Sequence, residues 1–138
     1  MQTHTSDSSS EFEAVESDGV LRLTIQRESR RNAINPAVMT GLAEALSQAN
    51  ANRSLRAIVL TGAGDKAFCA GADLHSGQSF SFDYAEPTQG FANLLRVSRQ
   101  LTVPLVARVN GACMAGGMGL MAICDLAVAA PHAQFGLP

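Results

Sequence analysis

Two glycine-rich segments hold the residues best suited to chemistry. The first reads Phe68-Cys69-Ala70-Gly71-Ala72-Asp73-Leu74, and the second Asn110-Gly111-Ala112-Cys113-Met114-Ala115-Gly116-Gly117-Met118-Gly119-Leu120. Small residues let the main chain approach a ligand closely, and a helix that begins directly after such a turn aims unpaired N–H groups outward. Two turns of this kind facing each other would offer a pair of backbone donors without any charged side chain, which is the make-up of an oxyanion hole. Each donor in such a hole contributes about 2.7–4 kcal/mol to a reaction that passes through an enolate. Taken singly, each cluster reads first as a tight strand-to-helix turn.

Side chains able to move a proton are scarce around these turns. Proton transfer beside a carbonyl calls for a carboxylate or a histidine within hydrogen-bond reach. Asp73 reads as a residue that holds its own loop, and Asp125 as a turn or cap residue at the foot of a strand. His132 follows Pro131 in a turn, His4 lies in the polar opening stretch, and His75 is placed either to touch a ligand or to face solvent. The three cysteines, Cys69, Cys113 and Cys124, have no metal-ligand spacing and leave one unpaired, so we expect reduced core thiols in a cytoplasmic protein and no metal. A P-loop or Rossmann site has little support, because Gly111 to Gly117 lacks the Lys-Ser/Thr ending and no strand–Gly-x-Gly-x-x-Gly–helix unit occurs.

The elements that must position the turns follow from periodicity. Phe12 to Glu16 and Val20 to Ile25 flank Ser17-Asp18-Gly19, which predicts a hairpin. Asn35 caps a helix that opens on Pro36 and carries Val38, Leu42, Leu46 and Ala49 on one face. Ala57 to Leu60 and Leu105 to Val109 are short apolar runs of the kind that form buried parallel strands, and Leu126 to Ala130 reads as a final short strand. Between the first two, Ser76 to Gln89 reads as a surface loop, and Phe91, Leu94, Leu95, Ser98 and Leu101 recur at helical spacing. Met118 to Cys124 is apolar nearly all round, which predicts a buried helix. Strands alternating with helices indicate an α/β fold with a mostly parallel sheet.

Composition is consistent with one domain. The 138 residues are 46% hydrophobic and 16% charged, enough for a single core in residues 11–138 behind a loose tail over 1–10. With a net charge of −2 and no dense run of Lys or Arg, neither nucleic acid nor an anionic membrane is an expected partner. No apolar stretch suggests a membrane helix, and the opening lacks the pattern of a signal peptide.

Several strings, in order, resemble the enoyl-CoA hydratase/isomerase (crotonase) family. They are Arg31-Asn32-Ala33-Ile34-Asn35-Pro36, Ala57 to Gly64, Phe68 to Leu74, Val109-Asn110-Gly111, Cys124-Asp125-Leu126 and Phe135-Gly136-Leu137-Pro138. The resemblance implies a crotonase-like ββα spiral core, with the family's C-terminal helical part missing, and an acyl-CoA thioester as substrate. It implies backbone donors at Ala72 and Gly116, a path for the CoA phosphates and pantetheine along Arg30, Arg31 and Ala33, and an adenine pocket walled by Ala70, Asp73 and Leu74. His75 matches a position that is often basic near the CoA phosphates. No separate cofactor is implied, CoA being part of the substrate, and the full-length family member is expected to be a homotrimer or a dimer of trimers.

The sequence also departs from the family. A glutamate that handles water in the hydratases is matched here by Gly119, and a second follows the Phe-Gly-x-Pro string directly, where these residues stop at Pro138. One-base isomerisation is therefore favoured over two-carboxylate hydration, and the alternative is a non-catalytic acyl-CoA-binding or assembly protein. Residues 1–138 alone are expected to be inactive and to aggregate through uncovered apolar surface.

Overall fold

In the computed structural model, the described residues are 2–3, 11–73 and 90–137. The first pairing is set by Asp18 and Gly19, which both take positive φ (54° and 80°), the handedness of a two-residue hairpin turn. They join β2 (Phe12–Ser17) to β3 (Val20–Ile25), with Ser17 opposite Val20 and Phe12 opposite Ile25. Alternation then puts Phe12, Ala14, Leu23 and Ile25 on the buried face. Within the stretch expected to be a loose tail, Gln2–Thr3 (β1) pairs antiparallel with Glu16 and Ser17 as an edge strand. Residues 1 and 4–10, His4 among them, lie outside the described residues.

The first helix, α1 (Pro36–Asn50), forms as its cap and stripe predict. The Asn35 side-chain oxygen accepts from the Val38 amide at 2.8 Å, and Val38, Met39, Leu42, Ala43, Leu46 and Ala49 are buried. Next come β4 (Ala57–Gly62), β6 (Leu105–Val109) and β8 (Leu126–Ala129), each parallel to its predecessor. With the hairpin they make a six-stranded sheet of order β1-β2-β3-β4-β6-β8. Asp125 ties β8 to β6: its carboxylate accepts from the Leu105 amide at 2.8 Å, and its own amide donates to the Leu105 carbonyl at 2.7 Å.

A second, three-stranded parallel sheet was not expected from the pattern. It consists of β5 (Ala67–Cys69), β7 (Ala112–Met114) and β9 (Phe135–Gly136), in the order β5-β7-β9. Both glycine clusters thus begin on strands of this small sheet. The helix after the second cluster, α3, spans Gly116–Ala122, and within it only Gly117 and Leu120 are buried. The expectation of a fully buried helix over Met118 to Cys124 is therefore corrected: α3 rests one face on β5 and β7, and the described residues do not enclose the others. The remaining helix, α2 (Gly90–Ser98), packs on α1 and buries Leu94, while Leu95 stays 42% exposed. The expected surface loop over Ser76 to Gln89 lies outside the described residues.

Candidate active site

The first turn is held by a parallel bridge. Leaving β5, the chain passes Gly71 at φ 112°, a conformation open to glycine and strained for any other residue. Gly71 and Asp73 then bond to the two sides of Ile34: the Ile34 amide donates to the Gly71 carbonyl at 2.7 Å, and the Asp73 amide donates to the Ile34 carbonyl at 2.8 Å. In a parallel pairing these flanking groups carry the bonds, so the N–H of Ala72 between them faces away from Ile34. Ala72 is exposed, and its amide has no acceptor among the described residues.

The second turn presents its amide through strain. Ala115, between β7 and α3, sits at φ 48°, ψ −116°, a region that costs a side-chain-bearing residue about 1–3 kcal/mol. Both ends of Ala115 are fastened: its amide donates to the Gly136 carbonyl at 2.9 Å, and its carbonyl accepts from the Met118 amide at 2.9 Å. Gly116 follows as the first residue of α3, exposed, with an N–H that has no intrahelical acceptor by position and none elsewhere among the described residues.

The two turns touch. A Cβ built on Gly71 would stand 3.6 Å from the Gly116 nitrogen, and one built on Gly116 would stand 3.7 Å from the Ala72 nitrogen. Close approach is enforced one residue later, because a Cβ at Gly117 would collide with the Cys69 carbonyl. Two exposed amides without an acceptor among the described residues therefore lie on turns that are in contact, and each donor is a main-chain group, not a charged side chain.

Buried polar side chains hold the turns in place. Asn110 accepts from the Gly62 amide at 3.0 Å and donates to the Gly64 and Ala67 carbonyls at 2.9 and 3.0 Å. Asn32, at φ 56°, accepts from the Arg27 amide at 2.9 Å and donates to the Ala63 and Ala67 carbonyls at 3.0 and 2.7 Å. Asp73 is buried, and its carboxylate meets Arg27 Nη2 at 2.7 Å, so the side chain serves the loop, whatever surface its backbone offers a ligand. His132 Nε2 lies 2.7 and 2.9 Å from the carbonyls of Asp65 and Asn110, a structural place for that ring.

The other sequence-predicted residues divide. Ala33 is buried and gives its carbonyl to the Arg27 guanidinium, whereas Arg30 and Arg31 are exposed beside it and Ala70 is half-buried on the first turn. Leu74 and His75 lie outside the described residues. Gly119 is one helical turn beyond Gly116, and the Phe91 ring of α2 lies over it, 3.1 Å from where a Cβ would stand. Among the described residues no group of three His, Cys, Asp or Glu could hold a metal ion, and no helix is long and apolar enough to cross a membrane. Burial pushes the Cys69 thiol up to about 11 and, with the nearby charge of Asp125, that of Cys124 to about 12, while Cys113 is raised by burial as well. Such thiols stay protonated near neutrality and are poor nucleophiles. Three residues gave no signal of their place at the site: Arg27, Asn32, which belongs to the string over residues 31–36, and Phe91, which belongs to a helical stripe. Only their partners, distant in sequence, reveal them.

Comparison with known proteins identifies the family and the fold. The family model described as enoyl-CoA hydratase/isomerase matches residues 15–138. A probable enoyl-CoA hydratase, echA6, of Mycobacterium leprae is 40% identical over 126 residues, which cover 89% of this chain and 49% of that protein. Among solved structures, an enoyl-CoA hydratase/carnithine racemase from Magnetospirillum magneticum superposes with a TM-score of 0.83 at 31% identity, covering 95% of this chain and 50% of the other. An enoyl-CoA hydratase from Mycobacterium tuberculosis gives 0.79 at 36% identity, covering 94% and 50%. The fold is the crotonase-like α/β core, and the chain spans about half the length of the curated relatives it matches.

Proposed function

The chain belongs to the enoyl-CoA hydratase/isomerase family, and from that premise we propose that the intact protein binds an acyl-CoA thioester and holds its carbonyl oxygen between the amides of Ala72 and Gly116. The observation that carries this reading is the contact of two glycine turns, each ending in an exposed amide without an acceptor among the described residues. Hydrogen bonds that shorten as charge develops on the thioester oxygen lower the barrier to removing a proton from carbon 2 or carbon 4. The Arg30 and Arg31 side chains, exposed beside the first turn, are suitably placed for the CoA phosphates, and CoA arrives as part of the substrate. The proton itself must move on a group other than Gly119, which has no side chain and is overlain by Phe91. A single downstream carboxylate suffices for isomerisation, so we favour transfer between carbons 2 and 4 over addition of water. We extend to the intact protein the trimeric assembly implied by the resemblance, which sedimentation can test.

Gly119 also favours a second reading, a pocket that binds acyl-CoA without turning it over. Exchange of the carbon-2 protons of butyryl-CoA with deuterium oxide separates the two. Exchange catalysed by the intact protein is the expected result. Saturable binding of butyryl-CoA with no exchange above the solvent rate would replace the enzyme by the silent pocket.

A further inference from the structure

We propose that Arg27 is a positioning residue for the Ala72 amide, and that its charge balances the Asp73 carboxylate one residue from the oxygen which that amide would hold. The inference rests on the oxyanion-hole reading above and extends it to a residue outside both glycine turns. Arg27 follows β3 at its carboxyl end with a side chain only 10% exposed. Its backbone is fixed from both sides: the amide donates to Asn32 Oδ1 at 2.9 Å, and the carbonyl accepts from the amides of Asn32 and Arg30 at 2.8 and 2.9 Å. The guanidinium then spans the bridge between the segments. Nη1 donates to the Ala33 carbonyl, one residue before Ile34, and Nη2 meets Asp73 Oδ2 at 2.7 Å, one residue after Ala72. A rigid fork joining the residues that flank the Ile34–Ala72 contact fixes where the Ala72 amide points, and a lysine, with a single nitrogen on a flexible stem, does not reproduce that two-nitrogen fork.

The charge matters as much as the shape. Asp73 has a side chain only 3% exposed, so water screens its negative charge weakly and an enolate forming beside Ala72 would feel it. Glu11 also approaches Arg27, 3.5 Å from Nε, but it is 37% exposed and solvent screens it. Glu11 therefore competes little with Asp73 for the charge of Arg27.

The test uses the intact protein saturated with butyryl-CoA carrying ¹³C at the thioester carbonyl, whose stretching band moves to lower frequency when hydrogen bonds grip the oxygen. Arg27→Gln is expected to lose at least half of that shift and to slow carbon-2 exchange by about 10- to 100-fold, with butyryl-CoA affinity changing much less. Adding Asp73→Asn should restore part of both signals by removing the carboxylate charge that Arg27 faces, an effect that a merely structural role would not produce. Arg27→Lys, which keeps the charge and loses the fork, should fall between wild type and Arg27→Gln, and it carries the test if Arg27→Gln does not fold. An unchanged band in both Arg27→Gln and Arg27→Lys overturns the positioning role, and a double variant no better than Arg27→Gln overturns the charge balance. Absence of any shift in the wild type removes the oxyanion hole itself and this inference with it.

Discussion

Adjacent glycines at the start of α3 should respond to the same substitution in opposite ways. In Gly116→Ala the new methyl meets no atom closer than 3.7 Å, ordinary van der Waals contact, and the residue is not at positive φ. Replacing a helical glycine by alanine under those conditions is neutral or stabilises by up to about 1 kcal/mol. That methyl, however, stands 3.7 Å from the Ala72 nitrogen, on the side of Gly116 that faces the first turn, so it narrows the gap between the two amides. If the methyl keeps the thioester oxygen from reaching one of the two amides, the reaction slows by about 100- to 1,000-fold, the cost of a lost donor. Gly117→Ala is the counterpart. Its methyl runs into the Cys69 carbonyl, so β5 and α3 must separate, at about 1–3 kcal/mol for overpacking. Melting curves and deuterium exchange into butyryl-CoA, measured on both variants of the intact protein, read the two effects apart. A stable Gly116→Ala variant that exchanges at the wild-type rate would refute the shared-oxygen geometry, and a Gly117→Ala variant as stable as wild type would refute the packing on which it stands.

Asn110→Asp replaces an amide that donates to the Gly64 and Ala67 carbonyls by a carboxylate facing them, so denaturant unfolding should show a loss of about 2–4 kcal/mol, more than for conservative surface changes. Burial keeps Cys69 and Cys124 protonated up to about 11 and 12 in the folded chain, whereas the unfolded thiols ionise from 9.0, so their contribution is complete below about pH 9 and is lost as pH rises through 11 to 12. Stability should fall on the alkaline side by up to about 1.4 kcal/mol per pH unit per thiol, and replacing both by alanine should flatten that limb in pH-dependent melting. Residues 1–138 produced alone should self-associate with rising concentration in light scattering, because Leu126, Val128, Phe135 and Leu137 are 62%, 65%, 46% and 77% exposed. A monomeric, cooperatively melting product would contradict that expectation.

Where the structure follows local signals, the sequence was readable. Asp18-Gly19 between two alternating runs specifies its hairpin, and Asn35-Pro36 before a helical stripe specifies α1, because in both cases the determining contacts lie within a few residues. The second sheet was not readable for the opposite reason. Its strands are two or three residues long and owe their form to pairing with segments some 20 to 45 positions away, as in Ala67 with Ala112 and Cys113 with Phe135. Ala115 misleads in the same way: alanine is a strong helix former, yet the bonds at its amide and carbonyl impose a conformation suited to glycine. Arg27 sits in a run of polar residues that reads as solvated surface, and its partner Asp73 is 46 residues away.

The proposed chemistry explains why side chains revealed so little of the site. If two main-chain amides are the working groups, any small residue supplies them, and selection acts on whatever fixes their direction. The buried polar residues among those described are Asn32, Thr61, Asp73 and Asn110. All four lie at or beyond the carboxyl ends of β3, β4, β5 and β6, where they bond to turn carbonyls and amides and to one another's neighbours. Burying polar groups is unfavourable unless every bond is made, and none of the buried side-chain nitrogens and oxygens among the described residues lacks a partner. The apolar faces of α1 and the large sheet can stabilise the fold without such groups. Their concentration at one end of the strands is therefore better explained by a need to hold two turns in register than by stability alone, and it predicts that changes at these four positions disturb carbonyl binding out of proportion to the unfolding free energy they remove.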